Sequence, residues 1–70
     1  MNKKCFSQNL KELMAENKFS QQDVATKIGV SQRAVSKWLR KESEPTASSL
    51  YKLAVLFNTT ANFLIGLSDN

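Results

Sequence analysis

The feature that most restricts this chain is a three-residue link, Gly29-Val30-Ser31, between two segments with helical patterning. Before it, Val24, Ala25 and Ile28 recur at helical spacing behind Ser20, a candidate N-cap with Asp23 in the N3 slot of a capping-box-like arrangement. After it, Ser31 can cap a second helix running from Gln32 to about Arg40. So short a link forces the two helices to cross steeply instead of lying antiparallel. Three residues suit the crossing. Gly29 can take a positive φ, Ala25 is small enough to let the next helix pass close by, and Val30 gives the turn an apolar side chain to fold over a core.

Steep crossing through a short turn is the geometry of a helix-turn-helix, here about residues 21–40. The second helix can be laid out on a wheel at about 100° per residue. Gln32, Ser36, Arg40, Arg33 and Lys37 fall on one half, and Ala34, Trp38, Val35 and Leu39 on the other. With the apolar half turned inward, the outward half presents an amide, a hydroxyl and three cations. That surface suits the major groove of DNA, which admits an α-helix and shows donors and acceptors on each base pair. Trp38 could stack on a nucleobase, but its place on the apolar half assigns it to the core.

The rest of the chain is helical too. Phe6, Leu10, Leu13 and Met14 predict a first helix from about Ser7 to Glu16, with Ser7 as its cap and Asn17 or Lys18 in the left-handed turn that follows. Beyond a polar stretch and Pro45, Thr46 caps a fourth helix whose core face is Leu50, Leu53, Ala54 and Phe57, ended by Asn58. Thr60 caps a short fifth helix, Ala61 to Ile65, closed by Gly66. No segment alternates with period two for long enough to be a strand, so the expected class is all-α.

Composition narrows the function. Seventy residues fall below the roughly 100–200 of a usual domain, so a single domain over residues 1–70 is expected. Cys5 is the sole cysteine and histidine is absent, which excludes a disulfide scaffold and a Cys/His zinc site. Catalysis is not expected, since acid–base chemistry would want a histidine or a paired-carboxylate cleft, and Glu12 and Glu16 read as a solvated helix surface. No apolar run approaches the ~20 residues that span a bilayer, and no apolar stretch follows the basic Met1-Asn2-Lys3-Lys4. The expected location is cytoplasmic, with no membrane, cofactor or small-molecule ligand. Cys5 is read as incidental in a flexible segment.

Ten basic residues stand against six acidic ones, and four of the ten lie within residues 32–41, where there is no acidic residue. The other sixty positions are balanced, so the whole excess of +4 sits on one element. An anionic partner met by that element is one reading, and a solvated basic helix face is the other.

The run Gln21-x3-Ala25-x3-Gly29-Val30-Ser31-x3-Val35-Ser36-x-Trp38 resembles the Cro/CI (XRE-type) helix-turn-helix family of phage and bacterial transcription regulators. The resemblance extends from Leu10 to Leu67 and includes Glu44-Pro45-Thr46, the Leu53-Ala54 pair and Phe63-Leu64-Ile65-Gly66. It implies a compact five-helix, lambda-repressor-like DNA-binding domain. Two positions depart from the pattern: Lys41 and Asn58 stand where the family commonly has glycine. Lys41 must therefore take a positive φ at some cost or end its helix differently.

Carried over by position, Gln32, Arg33 and Lys37 match slots that resemble the family's base readers, with Ser36 a lesser candidate. Arg33 can pair with guanine O6 and N7 and Gln32 with adenine N6 and N7, while Lys37 could reach a base or the backbone. Gln21 matches a family position that contacts phosphate, and a helix N-terminus favours an anion. Arg40, Lys41 and Ser43 lie in a loop that could follow the phosphates, positioning without specifying. Glu42 and Glu44 would repel phosphates and are expected to point away.

The resemblance also implies a homodimer on a pseudo-palindromic operator in double-stranded DNA, with half-sites about 34–36 Å apart. Phe63, Ile65 and Leu67 are candidates for the self-contact, or they close the core. Two functions follow: a sequence-specific regulator, expected to repress by occupying its operator, or a protein-interaction module of the antirepressor or antitoxin kind. The groove-facing half of helix 32–40 favours the first, because an antagonist could carry carboxylates there and this chain has none.

Overall fold

The computed structural model describes residues 5–66. They form five helices: α1 (Phe6–Asn17), α2 (Gln21–Ile28), α3 (Gln32–Leu39), α4 (Ala47–Leu56) and α5 (Ala61–Leu64). The described residues include no strand and no helix long and apolar enough to cross a membrane. α1 packs on α3 and α5, α2 on α3 and α4, and α4 on α5.

Each helix sends one side chain to the centre. Leu10, Val24, Val35, Leu53 and Leu64, in chain order from α1 to α5, are completely buried. Each contributes about 1.5–3 kcal/mol through the apolar surface it removes from water. Met14, Ala25, Ile28, Trp38, Ala54 and Phe57 surround them, while Leu50, expected in the core, is half-buried and packs against it.

Four caps lie where the hydroxyl side chains predict them. Ser20, Ser31, Thr46 and Thr60 accept the N–H of Asp23, Ala34, Ser49 and Phe63. At α2 the box is complete, because the Ser20 N–H donates back to Asp23 Oδ2 at 2.9 Å. The first helix departs from its expected start. Cys5, not Ser7, is its N-cap residue, and the Gln8 side chain satisfies the Cys5 N–H at 3.1 Å. Ser7 lies inside the helix and is buried. The earlier start lets Phe6 set its ring edge-on to Trp38, with centroids 6.1 Å apart.

Three helices are closed by a non-glycine residue in the left-handed region. Lys18 (φ 58°), Lys41 (φ 63°) and Asn58 (φ 55°) follow α1, α3 and α4. Each bends the chain so that the next N–H reaches back to a carbonyl: Phe19 to Met14, Glu42 to Lys37 and Thr59 to Ala54. These closures satisfy carbonyls that the helix leaves without partners. Lys41 thus takes the first of the two courses open to it. After α1, the closure also turns Phe19 inward against Phe57, at 5.8 Å between ring centroids.

Asn9 joins the two ends of the chain. Its Nδ2 donates to the Phe63 and Leu64 carbonyls at 2.9 and 3.0 Å, and the residue is buried. α5 has only four residues, too few to persist by local bonding. Asn9 and the burial of Leu64 are what fix it against α1.

Candidate nucleic-acid interface

The turn Gly29-Val30-Ser31 sets the approach of α3 to α2. Gly29 adopts φ 76°, and its N–H and that of Val30 both donate to the Ala25 carbonyl, at 2.9 and 3.0 Å. A Cβ on Gly29 would meet nothing within 4 Å. The glycine therefore answers the backbone conformation and not crowding from a neighbour. Ala25 is buried beneath the turn, and Val30 packs half-buried on the core.

α3 divides as the wheel predicts. Val35 and Trp38 are buried, and Ala34 and Leu39 pack half-buried beside them. On the other half Gln32, Arg33 and Arg40 are exposed, and Ser36 and Lys37 are half-buried. Trp38 is a core residue against Phe6, with 4% of its surface exposed, and offers no ring face for a base. Gln32 and Arg33 make no side-chain hydrogen bond or ion pair with another described residue, so their donors and acceptors are uncommitted. The helix is eight residues long, about 12 Å, and its axis is held by side chains on the opposite face.

Gln21 is the first residue of α2, half-buried beside the Ser20 cap. The Asp23 carboxylate shares that helix start, where the Ser20 backbone N–H and then its hydroxyl hold its pKa below the ordinary value. Lys41 and Ser43 are exposed in the loop after α3, across a shallow cleft from Cys5. Arg40, at the α3 C-cap, is more occupied than its sequence suggests. Its Nε and Nη2 donate to Glu42 at 2.9 and 3.1 Å, and its Nη1 donates to Ser36 Oγ at 2.6 Å. Glu42, expected to point away, instead turns back onto the basic edge. The Arg40 hydrogen bond and charge, with Lys37 beyond, hold its carboxyl below the usual range.

At the far end, Phe63 is half-buried and Ile65 is 40% exposed, while Leu67 lies outside the described residues. Tyr51 and Val55 on α4 are exposed more, at 68% and 62%. Neither belongs to the core face or to the candidate self-contact that the sequence predicts. Their signal was available: apolar residues four apart on the helix face opposite Leu53, Ala54 and Phe57.

The three-residue turn that joins α2 to α3 and the outward polar face of α3 define a helix-turn-helix domain. A family model of helix-turn-helix domains matches residues 10–64, and the chain belongs to that family. The 26 kDa repressor protein of Escherichia phage HK022 is 38% identical over 50 residues, 71% of this chain and 21% of that protein. The chain thus spans about a fifth of the length of that relative. Among solved structures, the DNA-binding domain of the P22 c2 repressor superposes with a TM-score of 0.84 at 26% identity, over 100% of this chain and 95% of that one. The SOS-response transcriptional repressor LexA from Eubacterium rectale superposes with a TM-score of 0.82 at 30% identity, over 93% of this chain and 73% of that one.

Proposed function

We propose that the chain is a sequence-specific DNA-binding repressor that acts by occupying its operator with α3 in the major groove. The observation that carries this reading is the face of α3: Gln32 and Arg33 stand exposed and uncommitted on a helix anchored by buried Val35 and Trp38. Arg33 reads guanine, Gln32 reads adenine or bonds a phosphate, and Lys37 and Ser36 complete the base-facing row. Gln21 at the start of α2 and Arg40, Lys41 and Ser43 after α3 meet the backbone and fix the register. The HK022 relative is a repressor and the P22 c2 domain is DNA-binding by description, which supports the same assignment here. The protein carries out no catalysis and works in the cytoplasm.

Two copies bind together on a pseudo-palindromic site and meet through the α4–α5 end, with the exposed Tyr51, Val55 and Ile65 and the half-buried Phe63 as contact residues. A second copy is the occupant that the charge pattern favours. From Pro45 to Gly66 the single charged residue is Lys52, and a two-fold contact sets each patch against its own copy. A charged patch there would face like charge, whereas a neutral one with an aromatic residue resembles the charge-depleted centre of an interface.

Selection from a randomised duplex library at about 150 mM salt tests the reading. The expected result is a two-fold-symmetric site bound roughly 10³-fold or more tighter than bulk DNA. Weak, sequence-blind and steeply salt-dependent binding would overturn it.

A further inference from the structure

Arg40 and Glu42 form a clasp at the edge of the reading face. The left-handed Lys41 (φ 63°) folds the chain back, and the Glu42 N–H donates to the Lys37 carbonyl at 2.9 Å. This return brings the Glu42 carboxylate alongside the Arg40 guanidinium, which it holds through both Nε and Nη2. The third bond, from Nη1 to Ser36 Oγ, ties the guanidinium to a residue of the reading face. Guanidinium carries five N–H donors; three are used, leaving one on Nη1 and one on Nη2.

The consequence for binding is electrostatic and geometric together. A free arginine at this edge would be drawn to any phosphate and would release a counterion whatever the sequence. Clasped by Glu42, Arg40 has its charge neutralised locally and its Nε–Nη2 edge closed to a phosphate. The two remaining N–H groups point in a direction fixed by Ser36 and Glu42, so they serve only a backbone oxygen in the right register.

We propose that Glu42 is a specificity-determining residue that converts Arg40 from a general phosphate-seeking cation into an oriented donor, suppressing binding to non-operator DNA. This rests on the reading of α3 as the DNA-facing helix. Glu42 would be a positioning residue, acting on DNA through Arg40.

The test is Glu42→Gln, which keeps the side-chain size and removes the charge, with circular dichroism melting to verify that the variant is folded. Affinities for the selected operator and for a random-sequence duplex are measured against salt, for the wild type, E42Q, Arg40→Gln and the double variant. The expected result is that E42Q binds the random duplex roughly three- to tenfold more tightly at about 150 mM salt. Its log K against log salt should be steeper by about 0.9, the value of one additional phosphate contact. Operator binding should change less, so the ratio of operator to random affinity falls. In the Arg40→Gln background the Glu42 change should have no such effect.

A ratio and slope unchanged in E42Q would overturn the proposal. So would an equal E42Q effect with and without Arg40, because that is simple charge repulsion from DNA. Failure of the wild type to prefer any site would instead remove the DNA-reading assignment, so the two failures are distinguishable.

Discussion

At Cys5 the thiol lies 3.3 Å from the Ser7 hydroxyl, at the start of a twelve-residue helix. The Ser7 hydroxyl and then the Gln8 backbone N–H favour the thiolate, and Lys41 adds a smaller attraction, so the pKa falls from 9.0 to about 7. A depressed value in the folded state means that the thiolate stabilises the fold above the unfolded pKa, and that this contribution is lost as pH falls through about 7. Alkylation by iodoacetamide follows the thiolate. Its rate should therefore rise with a midpoint near 7 in the native protein and near the ordinary value in urea, and Ser7→Ala should move the native midpoint upward. Identical midpoints in both conditions would show that the Ser7 contact does not act on the thiol. From sequence alone Cys5 falls in a flexible segment ahead of the first helix and reads as incidental, whereas it is the N-cap residue of α1. The contacts that matter come from Ser7 and Gln8, whose roles depend on where the helix begins.

At the scale of elements, the sequence is legible wherever the deciding interaction is local. Ser20, Ser31, Thr46 and Thr60 are caps because a short hydroxyl side chain can reach an N–H within its own first turn. The division of α3 follows from helical periodicity alone. The Asn9 bonds to Phe63 and Leu64 span more than fifty positions, and no local pattern announces them. Arg40 and Glu42 are near in sequence, yet their pairing depends on Lys41 turning the chain back.

The left-handed closures lead to a stability prediction. An L-residue in that region costs about 1–2 kcal/mol relative to the right-handed one, and glycine avoids the cost. Lys18→Gly, at an exposed closure outside the proposed DNA face, should stabilise the fold by about 1 kcal/mol and raise Tm by roughly 4–8 °C. A lower Tm on thermal denaturation would show that the Lys18 side chain contributes more than its backbone costs.

The whole molecule is polarised. Its excess positive charge lies on α3 and the residue or two beyond it, while α4 and α5 carry one charge between them and expose Tyr51, Val55 and Ile65. Both halves share the core built from one fully buried side chain per helix. A domain of this size buries only about 60% of its unfolded surface, so little of the α3 face could be given to stability without loss elsewhere. The helix is divided accordingly: Val35 and Trp38 are buried and hold it, and Gln32 and Arg33 stay exposed.

In the proposed function Arg33 reads a base from α3. The most direct test of that role is the affinity of the wild type and of Arg33→Ala for the selected operator and for every single-base-pair variant of it, at one salt concentration. The wild type should discriminate at one symmetric pair of positions by about 1–3 kcal/mol, and Arg33→Ala should lose this preference there while keeping it elsewhere. A uniform loss of affinity across all duplexes, with the pattern of preference intact, would make Arg33 a phosphate contact and contradict the claim.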